Sequence, residues 1–305
     1  MIISASLVKD LREKTGAGMM DCKKALMETN CDFESAIDWL KTKGLATAAK
    51  KAGRVAAEGL TAVAVRGTSA AVIEINSETD FVSRNEAFQG LVGEVVAIAA
   101  GANNIDSLKI ATTKSGKSVE DEINAKIATI GENLTLRRME SLSIKDGVIG
   151  SYVHNSPAKD MGTISVLVAL ESTGDKAKLA ETAKQIAMHV AATKPQSLTK
   201  ERVDQSIIQR EKDIFTEQSR ASGKSEDIIE KMIEGRIRKF LEEIVLLDQI
   251  FVIDGKTKIS EVVNNLSKDI GAPVELKSYV RFEVGEGIEK EEKNFADEVA
   301  AVSGK

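Results

Sequence analysis

The spacing of apolar and polar residues divides the chain into short helices, two strand-rich blocks and a long helical insertion. Leu7, Val8 and Leu11 fall on one helical face behind Ser4 or Ser6, either of which can cap the first turn. TGAG at 15–18 ends that helix with two glycines, and a second is predicted from Met19 to Glu28. Asp32 can cap a third, which buries Ala36, Ile37 and Leu40 and stops at Gly44. LATAAKKAGRVAAEG, 45–59, has no strong apolar face and reads as a linker with an early helical part. The period then changes. GLTAVAVR and SAAVIEIN are β-prone runs separated by Gly67-Thr68, a hairpin signal. NEAFQGLVGEVVAIAAG reads as an amphipathic helix, and 132–142 as another strand.

The second half repeats this order. GVIGSYVH and TISVLVALES are strands around a loop with Pro157 and Gly162, and DKAKLAETAKQIAMHVAATK is a helix closed by Pro195. LVGEVVAIAA near 91–100 echoes AKQIAMHVAA near 183–192. Strand, strand, helix therefore occurs twice, which predicts an α+β fold with a duplicated core and two antiparallel sheets, each backed by helices. Between them, residues 199–221 carry Val203, Ile207, Ile214 and Phe215, while 226–246 carry Ile229, Ile233, Ile237, Phe240, Leu241 and Ile244. SGKS at 222–225 separates the two runs, so the pattern is an inserted antiparallel helical hairpin with a coiled-coil-like seam. KSYVRFEVGEG at 277–287 completes the sheet, and 288–305 reads as a C-terminal helix marked by Ile288, Phe295 and Val299. The expected units are 1–50, 56–144, 145–198 with 247–287, 199–246 and 288–305. The first, three short helices, resembles a ubiquitin-associated (UBA-like) module, a shape used for many partners.

Composition changes this picture little. The 305 residues suffice for about two domains. Aromatics are only 4%, so Ala, Val, Ile and Leu must fill the core. The net charge of −5 gives no basic footprint of the kind a nucleic-acid binder carries, and KKAGR at 50–54 reads as solvated charge. Cys22 and Cys31 form neither a disulfide framework nor a zinc spacing with His154 and His189. Together with an N-terminus lacking an apolar signal core and the absence of any apolar run of spanning length, this predicts a cytoplasmic protein that does not bind membranes.

Chemistry is sparse. There is neither G-x-x-x-x-G-K-[ST] nor G-x-G-x-x-G, and GEGIEK at 285–290 fits neither. No G-x-S-x-G elbow occurs. His189, inside an alanine-rich helix, reads as structural, and His154, at a strand end, has no nucleophile at a recognisable offset. The chain is expected to bind no nucleotide, metal or other cofactor and to be no enzyme. Three rival functions have weaker support. A ubiquitin-type adaptor rests only on 4–44, an enzyme using His154 requires a closed apolar pocket, and an RNA-binding accessory protein requires a basic face.

One stretch stands apart. Thr79-Asp80-Phe81-Val82 follows a strand, and Phe81, one of eight phenylalanines, falls at a polar corner. From the residues alone it is either a plug for this chain's own core or a wedge for another molecule. Met19 and Met20 cannot both face one core from adjacent helical positions, so one is expected to be exposed. SLVKDLREKTGAGMMDCKKAL near the start, TDFV at 79–82, GSYVH at 150–154, QIAMHVAA at 185–192 and RFEVGEGIEK at 281–290 resemble the translation elongation factor Ts family, in the family's order along the whole chain. The loop between Tyr152 and Ile164 is longer than usual, and a few residues are added near 104–120. The resemblance implies a guanine nucleotide exchange factor whose partner is the GTPase elongation factor Tu, in which Asp80 and Phe81, flanked by Thr79 and Val82, enter beside the magnesium and nucleotide site. It further implies GTPase contacts at Met19, Met20, Lys23, His154, Val252 and Ile253. It allows a complex with two copies of each chain, a dimer of heterodimers.

Overall fold

Two antiparallel sheets stack face to face, and each carries helices on its outer face. The computed structural model describes residues 3–220 and 226–289. Strands β1 (Glu58–Arg66) and β2 (Ser69–Ser77) form the expected hairpin, turning at Gly67-Thr68. β2 is followed by helix α4 (Glu86–Ala99), after the three N-terminal helices α1 (Ala5–Thr15), α2 (Met19–Glu28) and α3 (Phe33–Lys51). Two short additions, α5 (Ile105–Ile110) and α6 (Val119–Ile130), lead into β3 (Thr135–Ser143), which pairs with β2. β4 (Gly147–His154), a two-residue β5 (Met161–Gly162) and β6 (Ile164–Glu171) come next, then α7 (Lys176–Thr193). The insertion is α8 (Gln205–Arg220) and α9 (Glu226–Ile244), and α10 (Ile259–Ile270) precedes β7 (Glu275–Glu283). Strand order is β3-β2-β1-β5 in one sheet and β4-β6-β7 in the other.

The two halves share a topology. In each, the second strand is central, a helix follows it, and a third strand returns antiparallel to it. The likeness reaches single residues. Gly59 near the start of β1 and Gly147 at the start of β4 both have positive φ, +120° and +139°. A Cβ at either would lie 2.2 or 2.0 Å from the facing strand's carbonyl, at Ile75 and Leu170. Beside them the central strand slips register against the third, between Glu74 and Ile75 and between Ala169 and Leu170. Only glycine fits such a backbone approach.

Strand alternation sorts the core into layers. Leu60, Ala62, Ala71, Ile73 and Ile75 point outward to Phe88, Leu91, Val92 and Val95 of α4 and Ile123 and Ile127 of α6. Val166, Val168 and Leu170 meet Leu179, Ile186 and Val190 of α7 and Val263 and Leu266 of α10. Between the sheets lie Val63, Val72, Ile149, Leu167, Ala169 and Phe282. This inner layer turns polar at one end. Glu74, fully buried, accepts from Arg137 and Arg138 of β3, from the Asn76 amide and from the Gly285 N–H beyond β7. Burial alone pushes its carboxyl up, but the Gly285, Asn76 and Arg138 donors outweigh that and hold it below the ordinary carboxylate value. Thr61 donates to Ser165 Oγ across the sheets at 2.8 Å.

Ser4 caps α1 and Asp32 caps α3, as the spacing predicts. α1–α3 enclose their own small core of Val8, Leu11, Cys22, Ala25, Leu26 and Ala36. α3 differs from expectation in passing through Gly44 to Lys51. A Cβ at Gly44 would stand 3.4 Å from Ala128 of α6, and Ala48 one turn on is buried in the first core, so tertiary packing overrides the glycine stop. At the insertion, Ile229 and Ile237 are buried, and Arg236 lies over the Phe215 ring at 5.0 Å. Its expected SGKS turn, and the expected C-terminal helix beyond residue 289, lie outside the described residues.

Candidate functional site

The chain leaves β2 through a tightly held corner. Asp80–Arg84 form one 3-10 turn, and Asn85 then caps α4 by accepting from the Ala87 and Phe88 N–H groups. Val82 turns inward and is buried, whereas Asp80 and Phe81 are exposed, Phe81 at 76%. The corner is fixed from several sides. Glu132 accepts from the Thr79 N–H at 2.9 Å and from the Thr79 hydroxyl at 2.6 Å. The Ser77 hydroxyl donates to the Thr79 carbonyl, the Ser83 hydroxyl to the Asp80 carbonyl, and the Gln89 amide to the Ser83 carbonyl. A large apolar ring is thus held in solvent on a backbone whose polar groups are largely satisfied. Seven residues on, Phe88 shows the opposite fate, with 0% exposed.

Met19 and Met20 are both exposed, at 58% and 73%, where the helical argument required only one. Lys23 is exposed beside them. Met27, 62% exposed and about two turns on, extends the same face and was missed from sequence. Its spacing of seven and eight from Met20 and Met19 is the signal that could have found it. Methionine is an adaptable contact residue, so this face suits docking.

His154 ends β4 in solvent, its Nδ1 3.0 Å from the Tyr152 hydroxyl. Val252 and Ile253 are about half exposed, as is Ile250, which sequence reading also missed. Phe251 between them is buried and anchors the loop. His189 holds it too: Nδ1 accepts from the Val252 N–H at 3.3 Å, and Nε2 donates to Gln249 Oε1 at 2.9 Å. Gln249 in turn donates to the Glu243 carbonyl at 2.6 Å. Burial keeps this imidazole's pKa below its ordinary value, against a smaller opposite effect of the Gln249 bond. His189 is therefore structural, as expected, and what it supports is the exposed apolar loop.

The core candidates gather at one end of the sandwich. Ser77, which precedes the TDFV corner, pairs with Glu58. Gly285 abuts Ala57 next to Glu58, and Glu283 pairs with Ile164, which pairs with His154. Lys194, at the end of the helix that carries His189, pairs with Glu283 at 2.5 Å. The N-terminal helices join at the same end, since Lys51 donates to the Gly131 carbonyl and Arg54 pairs with Glu78. Among the described residues, no group of three or more His, Cys, Asp or Glu could hold a metal ion. None of the described helices is long and apolar enough to cross a membrane.

The family model for Elongation factor TS matches residues 78–286, from the TDFV corner through the last strand. The chain belongs to the elongation factor Ts family. An Elongation factor Ts of Rickettsia bellii is 59% identical over 301 residues, covering 98% of this chain and 97% of that protein. Those of Rickettsia felis and Rickettsia typhi are 58% and 59% identical over 302 residues, covering 99% of this chain and 98% of each relative. The likeness therefore includes the N-terminal helices and the inserted hairpin, and a role in translation elongation follows from membership. Within the matched region, the TDFV corner presents Phe81 on a braced turn.

Proposed function

We propose that this chain is a guanine nucleotide exchange factor acting on elongation factor Tu. It binds the GDP form, inserts Asp80 and Phe81 near the magnesium and nucleotide site, and speeds GDP release so that GTP can enter. The observation that carries this reading is Phe81, exposed on a braced turn in a chain of the elongation factor Ts family. Such a ring stabilises little at home, and it suits an apolar slot in a partner. No bond of the nucleotide is made or broken, so the chain acts by binding and is no enzyme in the bond-making sense. Asp80, adjacent and exposed, brings negative charge to a site that holds a metal and phosphates.

The remaining candidates supply contacts away from the nucleotide. The α2 face with Met19, Met20 and Lys23 is the docking surface of a UBA-like module formed by residues 1–50. Val252 and Ile253, together with His154, make a second surface on the core. The test is release of fluorescent GDP from the purified GTPase. Substoichiometric amounts of this chain should accelerate release repeatedly, and a release rate indifferent to the chain overturns the proposal.

A further inference from the structure

Two carboxylates cross between the corner that presents Phe81 and the segment that follows α6. Glu132 accepts from both the N–H and the hydroxyl of Thr79. In return Glu78, immediately before Thr79, accepts from the Asn133 N–H at 2.6 Å. Each segment thus donates to its neighbour's acid. Asn133 is buried and its amide donates to the Arg54 carbonyl at 2.8 Å, while the Arg54 guanidinium pairs with Glu78 at 3.3 Å. Lys51, at the end of α3, donates to the Gly131 carbonyl. The clamp therefore has three members: the Phe81 corner, the end of α6, and the segment leaving the N-terminal helices.

We infer that Glu132 is a positioning residue for Phe81, and that the Arg54–Glu78 pair ties the corner to the seating of the N-terminal helices. This deepens the exchange reading and rests on it. Glu132 reaches no partner in this role. It fixes the backbone at Thr79, one residue before Asp80 and two before Phe81, and thereby sets the direction in which the ring leaves the surface. A hydrogen bond to a charged acceptor is stronger than a neutral one, and a doubly engaged carboxylate restrains position as well as distance. Positioning of this kind acts on the rate of the bound complex, whereas docking surfaces act on its formation.

The experiment uses full-length Glu132→Ala, Thr79→Val and Arg54→Ala chains, and measures two things. In GDP release from the GTPase, Glu132→Ala should lower the saturated rate about tenfold while the half-saturating concentration changes less than about twofold. Thr79→Val, which removes one of the two donors, should lower the saturated rate by less. Arg54→Ala should also lower it, with the N-terminal surface intact. In hydrogen exchange on the free proteins, amides 79–84 should exchange faster in Glu132→Ala, with β1 and β2 unchanged. Wild-type saturated rates in both Glu132→Ala and Thr79→Val, or a loss confined to the half-saturating concentration, overturn the inference. If Glu132→Ala does not fold, Thr79→Val decides alone. If the unaltered chain fails to accelerate release, the exchange reading falls, and hydrogen exchange still decides the clamp, which is refuted by unchanged protection at 79–84.

Discussion

Replacing Phe81 by Ala separates a wedge from a core residue, because the two fates differ in both stability and activity. Full burial of a phenylalanine side chain is worth about 1.5–3 kcal/mol. With 76% of Phe81 exposed, only about a quarter of that value is realised in the free protein, less than ~1 kcal/mol. Denaturant midpoints of Phe81→Ala and the parent should therefore nearly coincide. The surface still open is worth about 1.1–2.3 kcal/mol if it enters an apolar slot, which corresponds to roughly 7- to 40-fold in an equilibrium or rate. Stimulated GDP release should fall by that factor, measured with fluorescent GDP at saturating factor. Phe88→Ala is the internal control. Its ring is wholly buried in the first core, so truncation should cost about 3–5 kcal/mol and shift the midpoint strongly. A large stability loss in Phe81→Ala with normal exchange in the folded fraction would refute the reasoning, since Phe81 would then serve its own core.

Two further outcomes follow from packing and titration. His189 is buried with a lowered pKa, so the unfolded chain binds a proton near pH 6.5 that the folded chain refuses. Stability is full above that value and declines as pH falls towards the folded pKa, with a slope of up to about 1.4 kcal/mol per pH unit for one proton. NMR titration should place the His189 imidazole below 6.5, and His189→Gln should flatten the slope; a value at or above 6.5 would sink the assignment. Gly150 of β4 would place a Cβ 2.5 Å from Ala183 Cβ and 2.6 Å from its carbonyl carbon on α7. Gly150→Ala should therefore destabilise by about 1–3 kcal/mol in urea unfolding, and an unchanged midpoint would show that α7 does not lie so close.

The parts legible in the sequence are those set by local pattern. The β1–β2 turn, the Ser4 and Asp32 caps and the apolar runs of β4 and β6 all follow from neighbours along the chain. Elements set by distant contacts do not. β5 is two residues long and exists because Thr61 and Ala62 of β1 pair with it. α3 continues past Gly44 because α6 lies alongside, and no residue near Gly44 announces that. α10 is a different case. Ile259, Val263, Leu266 and Ile270 repeat at helical spacing, yet the sequence reading assigns no element there, so the signal was present and unread. At the site, residue types alone favour the plug for Phe81, because a phenylalanine is ordinarily buried, and the structure places the ring in solvent. Only resemblance favoured exposure. Glu132, fifty-three residues from Thr79, carries no sequence signal at all.

The energetics of exchange require more than the wedge. Weakening a tightly held nucleotide about 10⁴-fold takes about 5.5 kcal/mol of differential binding, and Phe81 offers at most about 2. In the proposed complex, the methionine face of α2 and the loop carrying Val252 and Ile253 supply binding energy away from the nucleotide, and the remainder arises where that energy is converted into strain on the GTPase. Contacts of that kind can act on the nucleotide only if the body between them and Phe81 does not yield. The stacked sheets provide such a body, cross-linked by Thr61 to Ser165 and by the Glu74 carboxylate, which joins β2, β3 and the segment after β7. Coupling is reciprocal, so nucleotide loosens the factor by the same ratio with which the factor loosens nucleotide. Removing a remote contact equally present with and without nucleotide lowers both affinities and leaves the ratio intact. Softening the body or the corner lowers the ratio itself. Measured as a pair, affinity and ratio thus tell a docking residue such as Met20 from a transmitting one such as Glu74, even where both variants slow exchange equally.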